Sequence, residues 1–238
     1  MCVAAIAWAA HPRWRLVAIG NRDEFHDRPT APLHQWANGM IAGRDEQAGG
    51  TWLGVAGNGR FGLVTNYRVD GYPRPHLASR GDLVTNWLTG APLGDVAGMN
   101  PFNLFLAGPD GAEYVTNHPA PRREALPPGI HGLSNGAFAQ PWSKTRRLEA
   151  ALARWLDADA SSEALFTPLA DRTLATDAEP DGPSPQFSGV FIVNPVYGTR
   201  CSTVITVDRA GRGSIVERRF GPDGTETGTT ALSFHWPA

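Results

Sequence analysis

Two consecutive segments, Cys2–Trp8 and Leu16–Gly20, are almost wholly apolar and are separated by a polar turn at His11-Pro12-Arg13. Runs of this length bounded by turn residues predict β-strands, and a short connection makes them antiparallel. An antiparallel strand with one wet face alternates apolar and polar residues; these two do not, so both of their faces must be covered. That requirement rules out a simple two-layer arrangement with an exposed sheet face. It points to a layered α+β sandwich.

The rest of the chain supplies the other layers. Asn38-Gly39 and Gly49-Gly50 mark turns. Thr51–Ala56 and Phe61–Asn66 predict a hairpin across Gly57-Asn58-Gly59, where the Asn-Gly pair tolerates positive φ. Ser79–Leu88 predicts a helix with Leu83, Val84, Trp87 and Leu88 on one face. Asn103–Ala107 and Glu113–Thr116 predict strands around Pro109-Asp110-Gly111. Trp142–Trp155 is the clearest helix: Leu148, Leu152, Trp155 and Leu156 form its stripe, with Lys144, Arg146, Arg147 and Arg154 mostly off it. A second helix is expected over Ser162–Asp171, then a Pro/Gly/Asp loop over Thr176–Gln186. Strands at Ser188–Val193, Cys201–Val207 and Gly213–Phe220 close the chain, the last two joined at Asp208-Arg209-Ala210-Gly211. The total is about nine strands and two or three helices in one domain over residues 1–238.

With 238 residues, 42% apolar, 18% charged and a formal net charge of −2, the chain has an ordinary globular balance. It lacks the clustered basic residues of a nucleic-acid partner. Lys144 is the sole lysine, a pattern read as base-composition bias. Two cysteines, Cys2 and Cys201, make no disulfide framework and no zinc spacing. The apolar start is too short for a signal peptide, and no segment reaches a membrane span, so a cytoplasmic protein without membrane insertion is expected. No pattern specifies an oligomeric state.

Chemistry concentrates near the N-terminus. If Met1 is removed, Cys2 carries a thiol and a free α-amine on one residue, with unperturbed pKa values of about 8.5 and 7.7–8.0. An amine of that strength can serve as the base that generates a thiolate; a retained Met1 acylates it. Asn21-Arg22-Asp23-Glu24 ends the second predicted strand, and the hairpin places residues 20–23 beside residues 1–3. Arginine there favours thiolate, and a carboxylate can hold an ammonium. Alternation puts Asn21 and Asp23 on one face and Arg22 and Glu24 on the other, and a bulge would change which pair meets Cys2. The competing reading is a solvated strand exit. Asn66 at a strand end and Asn135 in a loop have amides suited to an oxyanion or to turn chemistry. Arg200 precedes a strand and is equally suited to a surface ion pair.

The chain resembles the NRDE family, also called the transport and Golgi organization protein 2 family. The resemblance runs through Met1-Cys2, Asn21-Arg22-Asp23-Glu24-Phe25 with Arg28-Pro29, and Ala42-Gly43-Arg44-Asp45 to Gly49-Gly50-Thr51-Trp52-Leu53-Gly54. It continues through Gly62, Thr65-Asn66-Tyr67-Arg68, Ser79-Arg80-Gly81, Gly129, Gly132-Leu133-Ser134-Asn135, Tyr197-Gly198-Thr199-Arg200 and Glu217-Arg218. The order Cys2, Arg22/Asp23, Asn66, Asn135, Arg200 is also similar to the penicillin V acylase and bile salt hydrolase group. Those are N-terminal-nucleophile hydrolases of four-layer αββα fold that cleave linear amide C–N bonds. This resemblance implies Cys2 as nucleophile with its α-amine as base and no cofactor. It implies Asp23 orienting the amine, Arg22 stabilising thiolate, Asn66 and Asn135 at the oxyanion, and Arg200 in support. One departure stands out: the hydrolase cluster reads Gly-Arg-Asn-x-Asp, whereas here Arg22 and Asp23 are adjacent in Gly20-Asn21-Arg22-Asp23-Glu24. The family resemblance also implies an alternative, a non-catalytic carrier of haem or an acyl-lipid such as acyl-CoA. Its haem ligand would come from His11, His26, His34, His76, His118, His131 or His235.

Overall fold

The structure is a computed structural model that describes residues 2–71, 73–74, 76–158, 160–176 and 185–237. In chain order the elements are β1 (Val3–Trp8), β2 (Trp14–Phe25), β3 (Thr30–Gln35), β4 (Ile41–Asp45), β5 (Leu53–Ala56), β6 (Arg60–Asn66) and α1 (Gly81–Thr89). There follow β7 (Phe102–Gly108), β8 (Gly111–Thr116), β9 (Arg122–Leu126), β10 (Gly129–Leu133), α2 (Ser143–Asp157), a 3₁₀ turn (Ser162–Leu165) and α3 (Phe166–Leu169). After a second 3₁₀ turn (Pro185–Phe187) come β11 (Tyr197–Asp208), β12 (Arg212–Phe220) and β13 (Glu226–His235).

The strands form two antiparallel sheets. One has the order β10-β1-β2-β11-β12-β13, the other β3-β4-β5-β6-β7-β8-β9. Alternation along β1 and β2 sorts the apolar residues into two cores. Ala4, Ile6, Trp8, Leu16 and Ala18 meet Leu53, Leu63 and Phe105 of the second sheet. Val3, Ala5, Ala7, Val17 and Ile19 meet Leu148, Leu152 and Trp155 of α2 and Leu169 of α3. On the far side, Val64, Leu104 and Leu106 meet Leu83, Val84 and Leu88 of α1. The order is helix, sheet, sheet, helix, which covers β1 and β2 on both faces as their composition demands. No helix of the described residues is long and apolar enough to cross a membrane.

Several expectations need correction. Among the described residues there are thirteen strands, not nine. Four of the unforeseen ones, β3, β9, β10 and β13, are the four sheet edges, and β4 neighbours one of them. Edge strands have one unpaired side and carry polar or proline residues that weaken the pattern; β3 holds Pro32 and buries only Leu33. Ser188–Val193 is not a strand. Val190, Phe191 and Ile192 are buried, but the Phe191 N–H bonds the Asp171 carbonyl and the Ile192 N–H bonds Thr199 Oγ1, so no ladder forms. The polar cluster is not a strand exit either, because β2 continues to Phe25. Arg200 lies inside β11 and does not precede it. Most of the loop expected over Thr176–Gln186, residues 177–184, lies outside the described residues.

Trp236 closes the inter-sheet core at the end of the chain. It is fully buried, its backbone N–H donates to the Gly211 carbonyl, and Arg15 stacks over its ring. Replacing a buried Trp with Ala costs about 3–5 kcal/mol. Trp236→Ala is therefore expected to lower the urea midpoint by that free energy, with an unchanged m-value.

Candidate active site

Cys2 sits at the mouth of the gap between the sheets, where β1 begins. Val3 pairs with Asn21 in antiparallel register, so the next position places Cys2 opposite Arg22. On the other side of β2, Arg22 pairs with Cys201, and Cys201 with Arg219. These four residues form a row across β1, β2, β11 and β12, on the face that looks at the second sheet. Neighbouring strands are about 4.8 Å apart, so the two cysteine Cα atoms are separated by roughly 10 Å, beyond disulfide reach. Both thiols are free and buried.

A cavity of about 390 Å³ opens over this row. Its walls include Cys2, Arg22, Asp23, Cys201 and Glu217 from the first sheet and Asp45, Trp52 and Asn66 from the second. Arg80 overhangs it from the start of α1. No histidine lines it among the described residues, and no cluster of three His, Cys, Asp or Glu among them could hold a metal ion.

Arg22 and Asp23 leave β2 on opposite faces, as alternation requires. Arg22 reaches toward the second sheet, 3.6 Å from Asp45 and 3.7 Å from Glu24, with a weak bond to Thr30 Oγ1. Asp23 turns toward the helices. Its Oδ1 accepts from Thr199 Oγ1 at 2.7 Å, and its carbonyl accepts from the Tyr197 hydroxyl at 2.9 Å. Asn21, on the same face, donates to the Leu169 and Val190 carbonyls and accepts from Ser202, which satisfies its buried amide. Adjacent residues thus flank Cys2 from two sides, and three polar groups stay buried because each finds partners.

Asn66 ends β6 and lines the cavity with an exposed side chain. Asn135 lies behind it: its Nδ2 donates to the Asn66 carbonyl at 2.8 Å, while its buried Oδ1 accepts no hydrogen bond among the described residues. The loop that carries Asn135 is clamped from β6 and β7, where Thr65 donates to the Ser134 carbonyl and Asn103 Nδ2 donates to the Ser134 and Gly136 carbonyls. Arg200 is not on the cavity wall. It is the extra residue of a bulge, since Thr199 pairs with Asp23 and Cys201 with Arg22. The bulge turns its guanidinium onto the Phe25 and Arg28 carbonyls at 2.7 and 3.1 Å, where it braces the end of β2.

Three nearby residues were not anticipated in these places. Lys144, in the first turn of α2, is fully buried and not a surface charge off the stripe; its ammonium acts on Asp23. Nothing in the local sequence sets it apart from the neighbouring Arg146 and Arg147. Glu217 is buried between the sheets, and its Oε1 accepts from the Leu33 N–H at 2.8 Å. Arg80 lay within a family motif, Ser79-Arg80-Gly81, that carried no assigned role.

Burial governs the charges here. It pushes the Cys2 thiol up; Asp23 adds to that, while Arg22 and an Asp23 backbone bond pull down. Burial and then Glu217 push Cys201 far higher. Burial also raises Asp23, against the pull of Lys144, Thr199 and Arg22. A raised thiol pKa means that thiolate appears later as pH rises. With Met1 retained, the rate of Cys2 alkylation by iodoacetamide is therefore expected to have a midpoint above the ordinary thiol value of about 8.5. Cys201 is expected to remain unlabelled through that range, as peptide mapping of a pH series would show.

Two antiparallel sheets packed face to face between helices form a four-layer αββα sandwich of the N-terminal-nucleophile-hydrolase-like kind. The fold of a Caenorhabditis elegans N-acylethanolamine-hydrolyzing acid amidase ortholog agrees, with TM-score 0.50 at 9% identity over 85% of this chain and 92% of that one. Residues 1–222 match the profile of Transport and Golgi organisation 2, and the chain belongs to that family. It is 31% identical to the Transport and Golgi organization protein 2 homolog of Bos taurus, covering 98% of this chain and 99% of that one. It is 30% identical to the Mus musculus homolog, over 92% of each.

Proposed function

We propose that this protein is an amidohydrolase that uses Cys2, freed of Met1, to cleave a linear amide C–N bond of a small or acyl substrate. The observation that carries the reading is the convergence of Cys2, Arg22, Asp23 and Asn66 on one cavity. In this reading the Cys2 α-amine takes the thiol proton and the sulfur attacks the amide carbonyl. The proton then passes to the leaving amine as the C–N bond breaks. Water attacks the resulting thioester and releases the acid. Arg22 favours the thiolate, and Asp23, held by Thr199 and under the electrostatic pull of Lys144, orients the amine. The free Asn66 side chain suits a developing oxyanion. Asn135 and Arg200 position the loop and strand end around it.

The carrier alternative draws less support, because the cavity wall is rich in charged groups and, among the described residues, has no histidine to ligate haem. The test is amine release from a panel of N-acyl amides by protein whose first residue is Cys2, with Cys2→Ala as the blank. Turnover by the first and none by the second supports the reading. Equal rates would sink it.

A further inference from the structure

The cavity holds a guanidinium that forms no ion pair among the described residues. Arg22, Arg28, Arg44, Arg74 and Arg80 all line it. Arg22 and Arg28 are engaged by Glu24 and Asp45. Arg44 stacks over Trp36 and donates to the Gly49 carbonyl. Arg80 is different. It makes no ion pair among the described residues, and its bond to the Pro101 carbonyl is long, at 3.4 Å. It is half-buried, so the desolvation of its charge is only partly offset. Burial acts to lower its pKa, Cys2 and Glu24 act to raise it, and Arg28 opposes them; Arg80 and Cys2 line the same cavity.

Helix α1 does not account for this residue. Arg80 is its N-cap and makes no side-chain capping bond. A cation at the positive end of a helix is disfavoured by about 0.3–1 kcal/mol. Nor is the backbone free to carry Arg80 away. Gly50 and Gly81 are in backbone contact, and a Cβ on Gly50 would lie 2.6 Å from the Gly81 carbonyl carbon. The turn at Gly50 thus pins the start of α1 against the cavity, with Arg80 facing in.

We propose that Arg80 is an anion-binding residue, and that the molecule brought to Cys2 carries an anionic oxygen group, a carboxylate or a phosphate, that pairs with its guanidinium. Arginine suits this task because its planar fork matches two oxygens at once. The inference deepens the hydrolase reading by naming a substrate class, and its test requires no turnover.

Cys2 in a Cys201→Ser background is alkylated with iodoacetate and, separately, with iodoacetamide. In both reactions the thiolate forms a C–S bond and iodide leaves with the electrons of the C–I bond. Each rate constant is divided by that of a free small thiol in the same buffer. The ratio of the two cancels any change in thiolate fraction and isolates the effect of reagent charge. The normalised iodoacetate-to-iodoacetamide ratio is expected to fall about tenfold in Arg80→Gln and less in Arg80→Lys. An unchanged ratio in a folded Arg80→Gln protein overturns the proposal.

A second arm needs no variant. Inorganic phosphate or acetate should slow iodoacetamide labelling of Cys2, whereas neutral acetamide should not. Protection at lower concentration by phosphate assigns the phosphate class, and the reverse order assigns carboxylate. Absence of protection by both anions also overturns the proposal. A retained charge preference without amide turnover would leave the anion site standing and remove the hydrolase.

Discussion

Cys2→Ala is expected to abolish both covalent labelling by an acyl electrophile and amide hydrolysis, a loss of about 10⁴-fold or more. No other side chain on the cavity wall can replace it. Cys201 stands on the same face but two strands away, across β2, and burial and Glu217 hold it protonated. Cys2→Ser is expected to fare little better, because a hydroxyl is a far weaker nucleophile than a thiolate at neutral pH. Cys201→Ser should keep the activity and the label. If Cys2→Ala retained turnover, the chemistry would have to lie elsewhere in the molecule.

The second large effect concerns the floor beneath the site. Lys144, in the first turn of α2, has no exposure to solvent, and its ammonium acts electrostatically on Asp23. Removing one of two interacting buried charges leaves the other less compensated, at a cost of up to about 3–5 kcal/mol. Lys144→Met and Asp23→Asn are each expected to lose stability on that scale. The double variant should recover part of the loss, because neither charge is then left alone. Urea unfolding of the four proteins gives the coupling energy directly. Strict additivity would show that the two groups do not act on each other. For activity, Lys144→Met should mimic Asp23→Asn, since the lysine acts through the carboxylate and touches no substrate in this account.

Much of this organisation was legible in the sequence, and the reasons are specific. The buried centre of each sheet announced itself because β1, β2, β6, β7 and β11 are apolar enough to read directly. The helix stripe of α2 was equally clear. The sheet edges were not, because β9 and β13 present charged and polar residues to solvent. Alternation correctly separated Asn21 and Asp23 from Arg22 and Glu24. It did not reveal that β2 runs through the cluster, because four polar residues resemble a strand exit unless their partners are known. Those partners, Thr199, Ser202 and the Leu169 and Val190 carbonyls, are more than 140 residues away in the chain. The bulge at Arg200 and the burial of Lys144 are likewise set by neighbours distant in sequence. A lone lysine on a helix that carries several arginines looks like surface charge until the sheet beneath it is in place.

The central claim is that Cys2 becomes an N-terminal nucleophile. The most direct test is the intact mass of the purified protein before and after reaction with a β-lactone, with the N-terminal peptide mapped. The account predicts loss of Met1 and one acyl adduct on Cys2, absent in Cys2→Ala. Retained Met1, or a processed Cys2 that stays unmodified while Cys201 reacts, would contradict it.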